Sequence, residues 1–315
     1  MEKVLVTGGA GFIGSNLASR LVQEGYYVDV VDDLSSGHAV FIPKGNTGKD
    51  VDIYYCDYTN ETVLHKIHQQ RYQTIFHLAA TPRVSYSVEH PYETTKNNIS
   101  KVVQLLEAAK GNVGRFINTS SSSVYGLASL LPTPEHSEHK PMSPYALQKA
   151  TVETFCKMFG DLYGLDTVSV RPFNVFGPNQ LGKSAYSTAI SSWLYAAKHN
   201  KPLRSDGTGE QSKDMTYVDN VVDVFVRCAK HKDRFNGVTF NAGSEGGVSN
   251  NEILKWFKQE FPNCQIENAP ARKGDVLVTK ADMSLARKIL GWKLVVPFWD
   301  GLKMTRDWAI NSRLF

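Results

Sequence analysis

The run Val4–Thr7 is apolar and reads as a strand, and it opens directly into Gly8-Gly9-Ala10-Gly11-Phe12-Ile13-Gly14 before an amphipathic stretch begins. Few folds place glycines at this spacing between a strand and a helix. Gly8 permits a tight turn, Gly11 lets backbone come close to a pyrophosphate at the helix N-terminus, and Gly14 lets the helix lie against the strand. The turn therefore predicts a β-α start whose helix N-terminus receives a phosphorylated ligand.

The rest of the chain extends that start. Tyr27–Val31, Ile53–Cys56, Thr74–His77, Arg115–Asn118 and Thr167–Val170 read as further strands, continuously apolar as in a sheet covered on both faces. Helical stretches fall at 12–24, 60–70, 91–110 and 144–163, and this β-α alternation predicts an α/β fold of the Rossmann type, a doubly wound parallel sheet with right-handed crossovers. After Arg171 proline and glycine break the rhythm (Pro172, Gly177, Pro178, Pro202, Gly207, Gly209), so a smaller mixed region is expected there. The expected division is a nucleotide-binding domain over 1–171 and a mostly substrate-binding region over 172–315, with an approximate boundary across which the chain can return.

Asp32 ends the second strand, 18 residues after Gly14. A carboxylate there accepts both ribose hydroxyls of NAD and repels a 2′-phosphate, so NAD is expected rather than NADP. Asp57, read as ending the third strand, has two readings: acceptor of the adenine amino group, or cap of the helix beginning near residue 60.

Composition removes several other classes. The 315 residues are 42% hydrophobic and 21% charged, ordinary globular usage. Lys and Arg exceed Asp and Glu by 35 − 31 = 4 without a basic block, which argues against nucleic acid as a partner. Cys56, Cys156, Cys228 and Cys264 are far apart, and His77 and His90 have no metal-ligand spacing, so no metal site is expected. The first residues break into glycine before any signal-length apolar run, and no run approaches the length of a membrane span; a cytoplasmic protein is expected.

A chemical end lies past the fifth strand, where Asn118-Thr119-Ser120-Ser121-Ser122-Ser123-Val124-Tyr125-Gly126 reaches the sheet edge at which such folds bind ligands. Ser143-Pro144-Tyr145 starts a helix, placing Tyr145 and Lys149 on one face a turn apart. A free tyrosine titrates near 10, so ionising it at neutral pH needs about 4 kcal/mol from nearby positive charge, to which Lys149 and an oxidised nicotinamide are expected to contribute. Ser121 is expected to hydrogen-bond the substrate oxygen whose proton Tyr145 removes.

These motifs, with His77-Leu78-Ala79-Ala80, Tyr145–Lys149 and Arg171-Pro172-Phe173-Asn174-Val175-Phe176-Gly177-Pro178, resemble the extended short-chain dehydrogenase/reductase family of NAD-dependent epimerases and dehydratases, and within it the UDP-hexose 4-epimerases. The similarity runs over nearly the whole chain, with Asp206–Asp214 and Arg272-Lys273-Gly274-Asp275 in the places of the family's diphosphate-binding segments. The resemblance implies Ser121, Tyr145 and Lys149 as catalytic residues. It implies NAD contacts at Gly8, Gly11, Phe12, Ile13, Gly14, Asp32, Asp33, Ser36, Gly37, Asp57, Tyr58, Leu78, Ala79, Ala80, Asn98, Thr119, Tyr145, Lys149 and Phe173. For a UDP-sugar it implies Ser121, Ser122, Tyr145, Asn174, Lys213, Arg272, Asp275 and Thr279. Lys213 stands where arginine is more frequent, giving a point charge without the fork. Pro172, Lys273 and the segment Asn179–Lys183 also depart from the family's pattern.

The resemblance also weighs the reaction. Family dehydratases carry an Asp-Glu pair after the serine and decarboxylases a glutamate, whereas here Ser122 and Ser123 stand there, which favours 4-epimerisation through a 4-keto sugar. Thr279, read in a strand Val276–Lys280, leaves room for an N-acetyl group, so UDP-GlcNAc/UDP-GalNAc interconversion is expected, with UDP-Glc/UDP-Gal also accepted. The alternatives are a UDP-glucuronate 4-epimerase, a nucleotide-sugar dehydratase or decarboxylase, and a non-catalytic nucleotide-sugar sensor. Apolar stripes at Val102, Leu105, Leu106, Ala109 and at Val152, Phe155, Cys156, Phe159 fit core packing; the resemblance implies that their helices pair across a homodimer.

Overall fold

A computed structural model of the protein describes residues 1–45, 50–183, 187–271 and 276–315. Its strands are β1 Lys3–Thr7, β2 Tyr27–Val31, β3 Val51–Tyr54, β4 Thr74–His77, β5 Arg115–Thr119, β6 Thr167–Pro172, β7 Val175–Phe176, β8 Leu203–Asp206, β9 Ser212–Lys213, β10 Thr216–Tyr217, β11 Val238–Ala242, β12 Val248–Ser249 and β13 Ile266–Ala269. The helices are α1 Phe12–Gln23, α2 Glu61–His68, α3 Val84–Glu89, α4 Pro91–Thr95, α5 Lys101–Ala109, α6 Pro144–Tyr163, α7 Ala189–Lys198, α8 Val218–Lys230, α9 Asn250–Glu260, α10 Ser284–Leu290 and α11 Phe298–Asn311.

Seven strands form one parallel sheet in the order β11-β6-β5-β4-β1-β2-β3. The order reverses between β1 and β4, which opens a ligand crevice beyond the carboxyl ends of these strands. Both faces are covered, which is why the strands read as unbroken apolar runs. Leu17 and Leu21 of α1 pack with Val221 and Phe225 of α8 on one face. Ile67 of α2, Leu105 and Leu106 of α5 and Val152 and Phe159 of α6 pack on the other. Phe76, Phe116 and Phe240, all fully buried, each contribute on the order of 1.5–3 kcal/mol from burial.

Several sequence expectations shift. The third strand ends at Tyr54, two residues before the expected end, so Asp57 lies beyond it. The helical stretch 91–110 is divided by a π-turn at Lys96–Ser100, where Asn98 turns its amide inward. Val276–Lys280 is not a strand; Val278 makes only an isolated bridge to Ser212. The apolar stripes of 99–109 and 152–159 are spent within the chain, since Val102, Leu105, Leu106, Ala109, Val152, Cys156 and Phe159 are all buried in its own core. Beyond residue 172 the chain returns to the sheet, where β11 pairs in parallel with β6, Val238 opposite Val168. Between β6 and β11 the short strands β7 and β10 pair with each other, and β9 pairs with β12, which follows β11. No described helix is long and apolar enough to cross a membrane, and no group of three potential metal ligands occurs among the described residues.

Candidate active site

The glycine turn is shaped by what it lacks. Gly8 sits at φ +73°, and a Cβ on it would stand 2.6 Å from the backbone N of Ala79. A Cβ on Gly14 would stand 2.1 Å from the Gly8 carbonyl oxygen. The N-terminus of α1 thus lies flush against β1, with no side-chain cap and no acidic residue in its first turn. Asp32 braces it: one carboxylate oxygen accepts from Ala10 N at 2.9 Å and the other from Leu34 N at 2.8 Å. Burial pushes its carboxyl above the ordinary range. Gly37 closes on the same place, where a Cβ would meet Ala10 and the Asp32 carboxylate. Asp33 accepts from Ser35 N, and Ser36 is exposed.

The opposite wall is the loop after β4, Leu78–Thr81. Asn98, buried, accepts from Thr81 N at 2.8 Å and donates to the Thr81 carbonyl and to Gln148 Oε1. Gln148 in turn donates to Thr94 and Thr95 hydroxyls. Asn98 and Gln148 therefore hold this wall. Sequence reading missed Gln148; its one signal was its place beside Lys149. Tyr58 is buried and gives its hydroxyl to the Asn97 carbonyl. Asp57 does not cap the next helix, since Asn60 does so through Thr62 N; Asp57 accepts from Thr59 and pairs with Lys101, which holds its carboxyl low. The Phe173 ring lies in the core against Tyr125.

At the chemical end, Ser121 caps a 3₁₀ turn, Ser122–Tyr125, accepting from Ser123 N at 3.2 Å and Ser123 Oγ at 2.9 Å. Helix α6 begins sharply because Ser143 caps it through Ala146 N and Pro144 pre-sets the first helical position. Tyr145 follows, its backbone N held by Ser87 Oγ at 3.1 Å. Its hydroxyl meets Ser121. Lys149 lies one turn on, its Nζ 5.8 Å from the Tyr145 ring centroid and donating to the Thr119 carbonyl at 2.7 Å. The three expected catalytic side chains thus converge on one spot.

The electrostatics depart from expectation. Burial pushes the Tyr145 hydroxyl up to about 12, and the Ser121 hydrogen bond opposes this only in part. Lys149 was expected to lower Tyr145, but its ammonium is directed at a carbonyl, and burial brings it down to about 8 against the pull of Glu153. Desolvation, which composition does not reveal, outweighs the neighbouring charge.

On the far side, Asn174, at φ +33°, donates to Thr279 Oγ1 at 2.9 Å and to the Asp214 carbonyl at 3.2 Å. Thr279 Oγ1 also accepts from Asp214 N. Lys213 lies on β9, paired with Val248 of β12. Asp214, within the stretch read as diphosphate-binding, is fully buried and accepts from Ser244 N and Oγ, Glu245 N and Ala281 N, so its carboxylate holds loops rather than a ligand. Arg272 and Asp275 lie outside the described residues.

Comparison with known proteins agrees with this geometry. The model of the NAD dependent epimerase/dehydratase family matches residues 4–243. A UDP-glucose 4-epimerase of Mycolicibacterium smegmatis is 34% identical, covering 98% of this chain and 99% of the relative. A UDP-glucuronate 4-epimerase of Thermodesulfobacterium geofontis is 32% identical over 98% of this chain and 96% of its own. Among solved structures, a UDP-N-acetylglucosamine 4-epimerase from Methanobrevibacter ruminantium in complex with UDP-N-acetylmuramic acid superposes with a TM-score of 0.92 at 31% identity, covering 98% of each chain.

The NAD in that family's description fits the residues present. Only glycine leaves the cradle at Gly8 and Gly14 open to an approaching pyrophosphate. At the carboxyl end of β5 the hydroxyls of Thr119 and Ser120 are buried without a hydrogen-bond partner, as expected of polar groups that face a ligand.

Proposed function

This chain belongs to the NAD-dependent epimerase/dehydratase family, and from that premise we propose that it interconverts the C4 epimers of a UDP-sugar, UDP-GlcNAc and UDP-GalNAc foremost. The observation that carries the reading is the convergence of Ser121, Tyr145 and Lys149 with only serine, Ser122 and Ser123, following the cap. Tyr145 takes the proton of the sugar's 4-hydroxyl and later returns it. Ser121 hydrogen-bonds the same oxygen and holds it in line, and Lys149 keeps positive charge behind the tyrosine. Bound NAD supplies the acceptor and donor of the C4 hydride and, when oxidised, the positive charge that brings Tyr145 down from about 12. Serines at 122 and 123 offer no carboxyl acid or base for eliminating water, which favours inversion at C4 over dehydration.

For the sugar, Asn174 and Thr279 form one polar wall, and Lys213 on β9 is the described residue assigned to the nucleotide's diphosphate. The small Thr279 leaves room for an acetamido group, and a 31%-identical relative is a UDP-N-acetylglucosamine 4-epimerase. Incubation with purified UDP-sugars and analysis of the released sugars tests the reaction. Conversion of UDP-glucuronate alone would favour the second reading, a UDP-glucuronate 4-epimerase, the activity of a 32%-identical relative. Thr279→Tyr tests the pocket: the kcat/KM ratio of N-acetylated to plain sugars should fall by about tenfold or more, while Thr279→Ser, which keeps the hydroxyl that Asn174 and Asp214 use, should leave it unchanged. If a homodimer forms, Leu147, Met158 and Leu162 on the outer face of α6 are the exposed apolar residues available to it, and sedimentation reads the state.

A further inference from the structure

Behind the site lies a buried ion pair that the chemistry above leaves unused. Arg171 on β6 and Glu153 on α6 are 3% and 7% exposed. The guanidinium holds the carboxylate through two parallel bonds, Nε to Oε1 at 2.8 Å and Nη2 to Oε2 at 2.6 Å. Its Nη1 donates to the Tyr125 hydroxyl at 2.6 Å and to the Glu135 carbonyl at 2.9 Å, and Nη2 faces His139 Nε2 at 2.6 Å. The Tyr125 hydroxyl itself donates a hydrogen bond to Asn241 Oδ1 at 2.6 Å.

The positions of these partners along the chain give the cluster its meaning. Glu153 lies one turn beyond Lys149 and two beyond Tyr145 on the same helix. Tyr125 ends the 3₁₀ turn that Ser121 caps. A single guanidinium therefore joins the helix presenting Tyr145 and Lys149 to the turn presenting Ser121. Stability alone is a poor account of it, because the desolvation of two buried charges offsets much of their attraction and an apolar pair of like volume usually serves as well.

We propose that Glu153, Arg171 and Tyr125 are positioning residues that fix Ser121 against Tyr145 and Lys149. The inference rests on the reading of those three as the catalytic set. Glu153 also favours the charged form of Lys149, against burial. The other groups facing Lys149 are Cys156 of α6, the Tyr145 ring, the Thr119 carbonyl of β5 and His77 of β4, the last held neutral by burial. Those facing Arg171 besides Glu153 are Tyr125, His139, the Glu135 carbonyl and the Glu135 carboxylate.

The test uses the full chain with NAD and the UDP-sugar that wild type turns over best. The double variant Glu153→Met with Arg171→Met removes both charges together, and takes a donor from the Tyr125 hydroxyl, the Glu135 carbonyl and His139, so its melting temperature should fall while it stays folded. It should keep KM within about twofold and lose kcat by roughly 10- to 100-fold, the scale of a slightly misplaced catalytic group. Tyr125→Phe, which leaves the ion pair in place, should lose kcat by about tenfold. The Tyr145 titration of the NAD-loaded enzyme, read as a tyrosinate difference spectrum against Tyr145→Phe, should move up by roughly one pH unit in the double variant as the Ser121 hydrogen bond that lowers it is lost. Wild-type kcat in a folded double variant, or in Tyr125→Phe should the double variant not fold, overturns the proposal. A wild type that turns over no UDP-sugar defeats the functional reading instead; the titration then decides this inference alone, an unchanged midpoint overturning it and an upward shift upholding it.

Discussion

Between β1 and β5 the site rests on strand ends and a glycine turn, whereas beyond residue 172 it rests on polar side chains that hydrogen-bond backbone. The first region has long buried strands, with β4 and β5 buried at every residue, and its fit depends on atoms that are missing, the Cβ positions of Gly8 and Gly14. In the second, β7, β9, β10 and β12 have two residues each, so the sheet ladder satisfies little. The Asp214 carboxylate takes five donor groups, Asn220 accepts from Val295 N and Val296 N, and Asn241 donates to the Thr133 and Asp282 carbonyls. Where strands are short, side chains complete the hydrogen bonding that buried backbone requires. The two regions should accordingly fail in different ways.

The largest effect is expected where they meet. Tyr145→Phe should lower kcat by roughly a thousandfold, about 4 kcal/mol, while NAD binding and melting temperature stay near wild type. Near wild-type turnover at neutral pH would remove Tyr145 from the mechanism. Next come two substitutions of matched cost, Gly14→Ala and Asp214→Asn, each expected to destabilise by about 2–4 kcal/mol. Gly14→Ala, with its methyl 2.1 Å from the Gly8 carbonyl, should abolish NAD retention. Asp214→Asn, which turns an N–H toward donors, should retain NAD and weaken UDP-sugar binding. Calorimetric titration of both ligands checks the pair, and the same ligand lost in both would erase the distinction between regions.

A smaller effect concerns cofactor choice. Asp32→Asn should narrow the preference for NAD over NADP by about tenfold, near 1.4 kcal/mol, since one repelling charge is gone. Competitive binding of the two nucleotides reads it, and an unchanged ratio would relocate the discrimination. The smallest is a pH slope. His77, wholly buried between β1 and β5, has its imidazole pushed down to about 3 by burial, so the unfolded chain binds the proton first as pH falls through the ordinary histidine range. Folding stability should drop by about 1 kcal/mol between about pH 6.5 and 5.5 on this account, and His77→Asn should flatten that slope in denaturant titrations. Asp214, whose carboxyl burial raises, acts with the opposite sign, adding stability on acidification.

The same contrast governs what the sequence disclosed. Strands covered on both faces show as apolar runs, so β1, β2, β4, β5 and β6 were legible. The edge strand β3 is only half-buried, and the apolar stretch Ile53–Cys56 drew the expected strand two residues late. That Tyr145 and Lys149 share a helix face near the end of β5 was legible because their spacing encodes a helical turn. Two-residue strands carry no period to read. The bracing role of Asp214, at the end of the segment Asp206–Asp214, was hidden because sequence does not show which carboxylate of such a stretch is buried. The direction of Tyr145's titration was hidden for a related reason, since sequence shows charges and spacing but not desolvation.

The return of β11 to the sheet has a consequence during synthesis. Until Val238–Ala242 has emerged, β6 lies at an open edge, with Val168 and Val170 unprotected on a strand that ends as fully buried in the finished protein. Because β6 finds its outer neighbour only after a long intervening segment, completing the sheet is a late, high-contact-order event. A nascent chain stalled before Val238 would present an unpaired hydrophobic strand edge, the kind of surface that recruits chaperones or a second stalled chain.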